Sequence, residues 1–215
     1  MQMLNLPNIL TLLRIALILP IIILIKGSYV DKLISFMLFL VAGITDYVDG
    51  KIARKYNITS SFGSFLDPLA DKLLVISLLI SFLNIDPSIF PYWMVWLIII
   101  REFTITLLRV EGISKNSEVK TLFIGKLKTG FQFFTISVML IFLILKDYLI
   151  ENNYIKIVKG LTDVRLDDAL FYYFGDLSYF MAYTPTLLLT VVLVFSLYSG
   201  IKYIVKNKSI IFYDE

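Results

Sequence analysis

The sequence contains no cysteine and no histidine. Without cysteine there is neither a disulfide framework nor thiolate chemistry. Without histidine the chain lacks the usual general base and the commonest transition-metal ligand. Charge is scarce too, at 17% of residues, against about 25% in an ordinary soluble domain. Acid–base or metal chemistry must therefore rest on carboxylates, whose oxygens favour hard cations such as Mg²⁺ or Mn²⁺. The net charge of +3 is modest and gives no ground for a nucleic-acid partner.

Apolar surface is what the chain has in excess. Of its 215 residues 58% are hydrophobic, and the mean hydropathy is +0.82. Aromatics make up 15%, with 17 Phe and 13 Tyr; Tyr and Trp suit membrane interfaces because their rings have polar edges. The composition predicts an all-α polytopic membrane protein surrounded by membrane lipids. A bilayer core needs about 20 mostly apolar residues per helix. Six candidate transmembrane helices lie near 7–26, 32–54, 64–84, 91–110, 127–147 and 181–205, with Gly, Pro, Asn and charge at the breaks. The first apolar run, Ile9 to Ile25, is interrupted by Arg14 and lacks a small-residue cleavage site, so it reads as a retained helix. The expected architecture is one membrane domain over 1–215, six helices in one bundle. The 148–180 segment carries Asp163, Asp167, Asp168 and Asp176 and no span-length apolar run. It reads as an extended outer linker with a short interfacial helix around Asp167 to Phe174.

Orientation follows from the distribution of Lys and Arg. With a cytoplasmic N-terminus, the inner segments hold Lys51, Arg54, Lys55, Arg109, Lys115, Lys120, Lys126, Lys128, Lys202, Lys206 and Lys208. The outer segments hold Lys26, Lys32, Lys146, Lys156, Lys159 and Arg165. That excess places both termini in the cytoplasm.

Ionisable groups inside spans are costly, at about 2.5–3.5 kcal/mol each near a helix centre, so they usually have a partner and a task. Spans two and three contain Asp46, Asp49, Asp67 and Asp71, all toward the cytoplasmic side. Asp46, Asp49, Gly50 and Ala53 fall within about 100° of one helical face, and Gly63, Asp67 and Asp71 within about 80° on the next helix. Two Asp at one helix end could be ordinary caps, but four on two matching faces with small residues beside them are hard to explain that way. Carboxylates so gathered repel one another in a low dielectric. Two divalent cations would resolve that repulsion, and a pair of ions about 3.5–4 Å apart is a recurrent clamp for phosphoryl displacement. Gly50 and Ala53 leave room for a flat ligand, and Arg54 at the mouth can grip phosphate oxygens.

Basic residues in and beside span four form a second set. Arg101 lies within the span, Arg109 returns to nearly the same face, and Lys126 and Lys128 follow across a loop. They can form a pocket for a phosphate dianion, or they can obey the positive-inside rule and snorkel to headgroups. Glu102 points about 100° away from Arg101 on a helical wheel, so the wheel does not make it an obvious partner. On helix one Asn8, Thr11 and Arg14 recur at three-residue spacing on one side, either as a cap followed by a snorkelling Arg or as ligand contacts.

Asp46-x-x-Asp49-Gly50-x-x-Ala53-Arg54, eight residues, then Gly63-x-x-x-Asp67-x-x-x-Asp71 resembles the signature of the CDP-alcohol phosphotransferases, with every fixed position filled. The resemblance implies a six-helix bundle, commonly a homodimer, with its active site open to the cytoplasmic half of the membrane, here a bacterial cytoplasmic membrane. It implies two divalent ions on Asp46, Asp49, Asp67 and Asp71, with Asp71 also the general base that activates the acceptor hydroxyl. Gly50, Ala53, Arg54 and Gly63 would line the CDP site. Leu6-Pro7-Asn8-x-Leu10-Thr11-x-x-Arg14, Phe62-Gly63-x-Phe65-Leu66-Asp67-Pro68-x-Ala70-Asp71-Lys72, Arg101-Glu102 and Gly125-Lys126-x-Lys128-Thr129 with Gln132 are similar to the phosphatidylglycerophosphate synthase branch. That likeness covers roughly residues 4–140. It adds Asn8 and Thr11 to the nucleotide contacts and makes Arg101, Arg109, Lys126 and Lys128 the acceptor-phosphate pocket. The substrates implied are CDP-diacylglycerol and glycerol 3-phosphate, with CMP released. The nearest rival is a sibling transferase taking phosphatidylglycerol, as in the cardiolipin synthase branch, or inositol phosphate. From another class, a cation transporter could use the acidic cluster as an ion site, but no inverted repeat is visible.

Overall fold

The computed structural model describes residues 6–56, 61–85, 90–114, 123–151 and 177–207. Six α-helices occupy almost all of them, and there is no strand among the described residues. They are α1 (Leu6–Leu24), α2 (Tyr29–Tyr56), α3 (Ser61–Ile85), α4 (Tyr92–Ser114), α5 (Phe123–Glu151) and α6 (Leu177–Lys206). Each coincides with one apolar run expected from the sequence. The expected linker is entered by α5 as far as Glu151 and left by α6 from Leu177. Residues 152–176, including the interfacial helix expected near Asp167, lie outside the described residues.

The α1–α2 corner shows how local chemistry sets a helix end. Ser28 and Asp31 cap α2 reciprocally: the Ser28 backbone N–H donates to Asp31 Oδ2 at 2.9 Å and the Asp31 N–H to Ser28 Oγ at 3.3 Å. Gly27 leaves space for the Asp31 side chain, which an added Cβ would meet. At the end of α1 the backbone N–H groups of Ile25, Lys26 and Gly27 donate to the carbonyls of Ile21, Ile23 and Leu24, and buried Ser35 on α2 adds a hydroxyl bond to Ile21 O at 3.0 Å.

The main packing pairs close a ring in the order α1, α2, α5, α6, α4, α3 and back to α1. Inside it runs an apolar core that includes Ile21, Ile25, Phe39, Leu78, Phe82, Ile98 and Leu140. Two stacked aromatic pairs tie it together, Phe82 with Phe90 at 5.0 Å and Phe39 with Phe133 at 4.3 Å between centroids. At one end of the ring Lys32 on α2 pairs with Asp147 on α5, beside the edge-on contact of Tyr29 and Tyr148. The polar groups of the candidate site gather elsewhere, near the start of α1 and α5, the middle of α4 and the C-terminal half of α6.

Many large apolar side chains face outward from the bundle. Leu19, Ile23, Ile100, Leu187, Val194, Ile201 and Val205 are all exposed. A contiguous apolar exterior of this kind marks contact with a membrane or a partner rather than with water. Leu127–Tyr148 and Tyr183–Lys206 are long and apolar enough to cross a bilayer, and α1 is apolar over the shorter stretch Asn8–Leu24. α3 and α4 carry ionisable residues within their lengths, Asp71 and Lys72 on one and Arg101 and Glu102 on the other. Those residues build the site.

Candidate active site

The three polar residues of α1 lie on its inward side. Asn8, Thr11 and Arg14 are all buried. Arg14, only 1% exposed, sets Nη1 at 2.8 Å from Asp46 Oδ1 on α2. It therefore does not snorkel outward. A buried guanidinium needs a counterion, because removing one partner of such a pair costs about 3–5 kcal/mol. Asp46 itself is 49% exposed, so its carboxylate neutralises the arginine and remains accessible.

Arg14 and Asp46 line a cavity of about 380 Å³, and Asp71 on α3 lines the same cavity. Asp46 of α2 and Asp71 of α3 thus line one space. Its remaining wall is small or apolar, with Ala42, Gly43, Thr129, Gly130, Leu74, Val75 and Phe133 among its members. Gly43 is needed for this shape: a Cβ there would run into the Phe133 ring.

Beside the cavity lies a buried ionic cluster centred on Glu102, which is 1% exposed. Its Oε2 is 2.7 Å from Lys72 Nζ, and its Oε1 is 2.8 Å from Arg101 Nη1 and paired with Lys128 Nζ. Ser196 on α6 donates to the same oxygen at 3.3 Å, and Arg101 Nη2 donates to Ser199 Oγ at 2.6 Å. Four helices meet at one carboxylate. Arg101 does pair with Glu102, although the helical wheel does not make it an obvious partner. The wheel compares Cβ directions, whereas an arginine side chain is long enough to fold back toward its neighbour once Ser199 holds its far end.

The cluster touches the cavity through α3, since Lys72 Nζ also lies 3.9 Å from Asp71 Oδ2. Of the expected acceptor-phosphate residues, the structure brings Arg101 and Lys128 together. Lys72, Glu102, Ser196 and Ser199 are the members that the sequence reading left out. Lys72 and Glu102 were legible as charges inside spans, which call for partners; the serines carried no signal of their own. The side chains of Asp49, Gly50, Ala53, Arg54, Gly63, Asp67, Arg109 and Lys126 lie outside the described residues, although their backbones belong to α2, α3, α4 and α5.

Residues 4–162 match the family model for CDP-alcohol phosphatidyltransferase. The chain belongs to that family. It is 42% identical over 153 residues to the CDP-diacylglycerol–glycerol-3-phosphate 3-phosphatidyltransferase of Bacillus subtilis, covering 65% of this chain and 78% of the relative. The Rickettsia bellii protein of the same name is 42% identical over 140 residues, covering 64% and 75%. A probable phosphatidylglycerophosphate synthase of Mycobacterium tuberculosis is 38% identical over 133 residues, covering 60% and 62%. Family membership and the two membrane-capable helices make this CDP-alcohol phosphatidyltransferase a membrane protein.

Members of the family generally depend on divalent metal ions. The donor chemistry of the cavity fits such ions: its acidic ligands are carboxylates, Asp46 is accessible, and Asp71 faces the same space. Among the described residues no group of three metal-ligating side chains occurs. The remaining two aspartates of the signature are outside that set.

Proposed function

We propose that the chain transfers the phosphatidyl group of CDP-diacylglycerol to glycerol 3-phosphate, giving phosphatidylglycerophosphate and CMP. The single observation that carries this reading is the shared cavity of Asp46 and Asp71, which come from the two halves of the family signature. The names of the relatives at 42% and 38% identity support the donor and acceptor.

Asp71 takes the proton of the acceptor hydroxyl. The hydroxyl oxygen then attacks the β-phosphorus of the donor, its new P–O bond forms as the bond to CMP breaks, and CMP leaves with the electron pair. Asp46, Asp49, Asp67 and Asp71 would hold two Mg²⁺ or Mn²⁺ ions. Those ions supply charge neutralisation for the diphosphate. Asn8, Thr11, Gly50, Ala53, Arg54 and Gly63 line the CDP side, and the Gly and Ala positions allow close approach. Arg101, Arg109, Lys126 and Lys128 serve the acceptor phosphate, with Arg101 and Lys128 already drawn together at Glu102. The chain acts as a single six-span membrane domain, as a homodimer, with the site toward the cytoplasm, where CMP and glycerol 3-phosphate are soluble.

The test is CMP release by purified protein with CDP-diacylglycerol and Mg²⁺, comparing glycerol 3-phosphate, inositol phosphate, serine and phosphatidylglycerol. Release is expected with glycerol 3-phosphate alone. Release with a different acceptor keeps the aspartate chemistry and overturns the acceptor assignment.

A further inference from the structure

The cluster at Glu102 has an unusual charge balance for the interior of a bundle. Lys72, Arg101 and Lys128 come from three different helices, yet all three meet one carboxylate. At formal charge the cations outnumber Glu102 by two. Arg101 Nε, moreover, is buried with no hydrogen-bond partner among the described residues. Asp71, 3.9 Å from Lys72, offsets part of that excess, and an anion such as a phosphate monoester would complete the arrangement.

We propose that Glu102 is a positioning residue that assembles these three cations into the acceptor-phosphate site and fixes Lys72 between that site and Asp71. The proposal deepens the transferase reading and rests on it. Lys72 is the link, 2.7 Å from Glu102 and 3.9 Å from Asp71. An acceptor whose phosphate is gripped by the cluster would then present its hydroxyl to the neighbouring aspartate. Glu102 itself touches no reacting atom; without it the three cations repel one another and lose their common register. Ser199 fixes the far side of Arg101, so the cluster is braced from α6 as well.

The test is steady-state kinetics of the full-length protein in detergent–lipid micelles with Mg²⁺. Glu102→Gln is expected to raise the KM for glycerol 3-phosphate about tenfold or more, with the KM for CDP-diacylglycerol within about twofold, as for loss of charge-assisted contacts at one substrate only. Glu102→Asp, which keeps the charge on a shorter stem, is expected to recover part of that loss. Unchanged KM values for both substrates overturn the proposal, and so does a parallel rise in both, which marks a merely structural role. If gel filtration shows that Glu102→Gln does not fold, Lys72→Gln carries the test: a rise in the acceptor KM alone supports the proposal and an unchanged value overturns it. Wild-type protein that releases no CMP with glycerol 3-phosphate overturns the transferase reading itself, and this proposal with it.

Discussion

Asp71→Asn is expected to lower kcat by about a thousandfold or more, the usual contribution of a positioned general base, while leaving the folded protein intact. With no histidine and no cysteine in the chain, the base proposed for the acceptor proton is a carboxylate. Asp71 is suited to this by position: it lines the cavity opposite Asp46, and Lys72 beside it reaches the cluster assigned to the acceptor phosphate. Asn has nearly the same shape, so the cavity wall is kept, while the proton acceptor and one oxygen ligand are lost. The measurement is kcat with saturating CDP-diacylglycerol and glycerol 3-phosphate, with a thermal melt to establish that the variant folds. Turnover within about tenfold of wild type, too little for loss of a general base, would remove Asp71 from the role of base.

Removal of divalent ions is expected to abolish activity, and Mg²⁺ or Mn²⁺ to restore it. The physical reason is electrostatic. Four signature aspartates on adjoining helices cannot all stay ionised beside a diphosphate unless positive charge is supplied. Arg14 is paired with Asp46, and the three cations of the cluster gather at Glu102 on the side assigned to the acceptor phosphate. CMP release measured in EDTA, then after readdition of each metal, checks this. Full activity in chelator contradicts the two-metal reading.

The six helices were legible because each holds a long, mostly apolar run bounded by Gly, Pro, Asn or charge. The run expected over 127–147 belongs to α5, which extends from Phe123 to Glu151. Hydropathy marks the apolar stretch, and a helix continues past it into polar residues such as Lys126 at one end and Glu151 at the other. The aspartate faces were legible for a related reason. Helical periodicity puts Asp46 and Asp71 on facing stripes of two helices joined by a short turn, and the structure has both lining one cavity. The ionic pairs were not. Arg14 with Asp46, and Glu102 with Lys72 and Lys128, depend on which helices are neighbours in the ring, and α4 meets α6 across a long stretch of sequence. Periodicity along one helix carries no information about that. Ser196 and Ser199 illustrate the limit, being ordinary small residues in an apolar helix until the structure sets them against Glu102 and Arg101.

The most direct test of the central claim is to follow both products of one reaction. Purified protein is incubated with CDP-diacylglycerol, glycerol 3-phosphate and Mg²⁺, with CMP quantified by chromatography and the lipid by mass spectrometry. Phosphatidylglycerophosphate and CMP in equal amounts, both absent without glycerol 3-phosphate, are the predicted result. CMP without a matching lipid product, or neither product from folded protein, would contradict it.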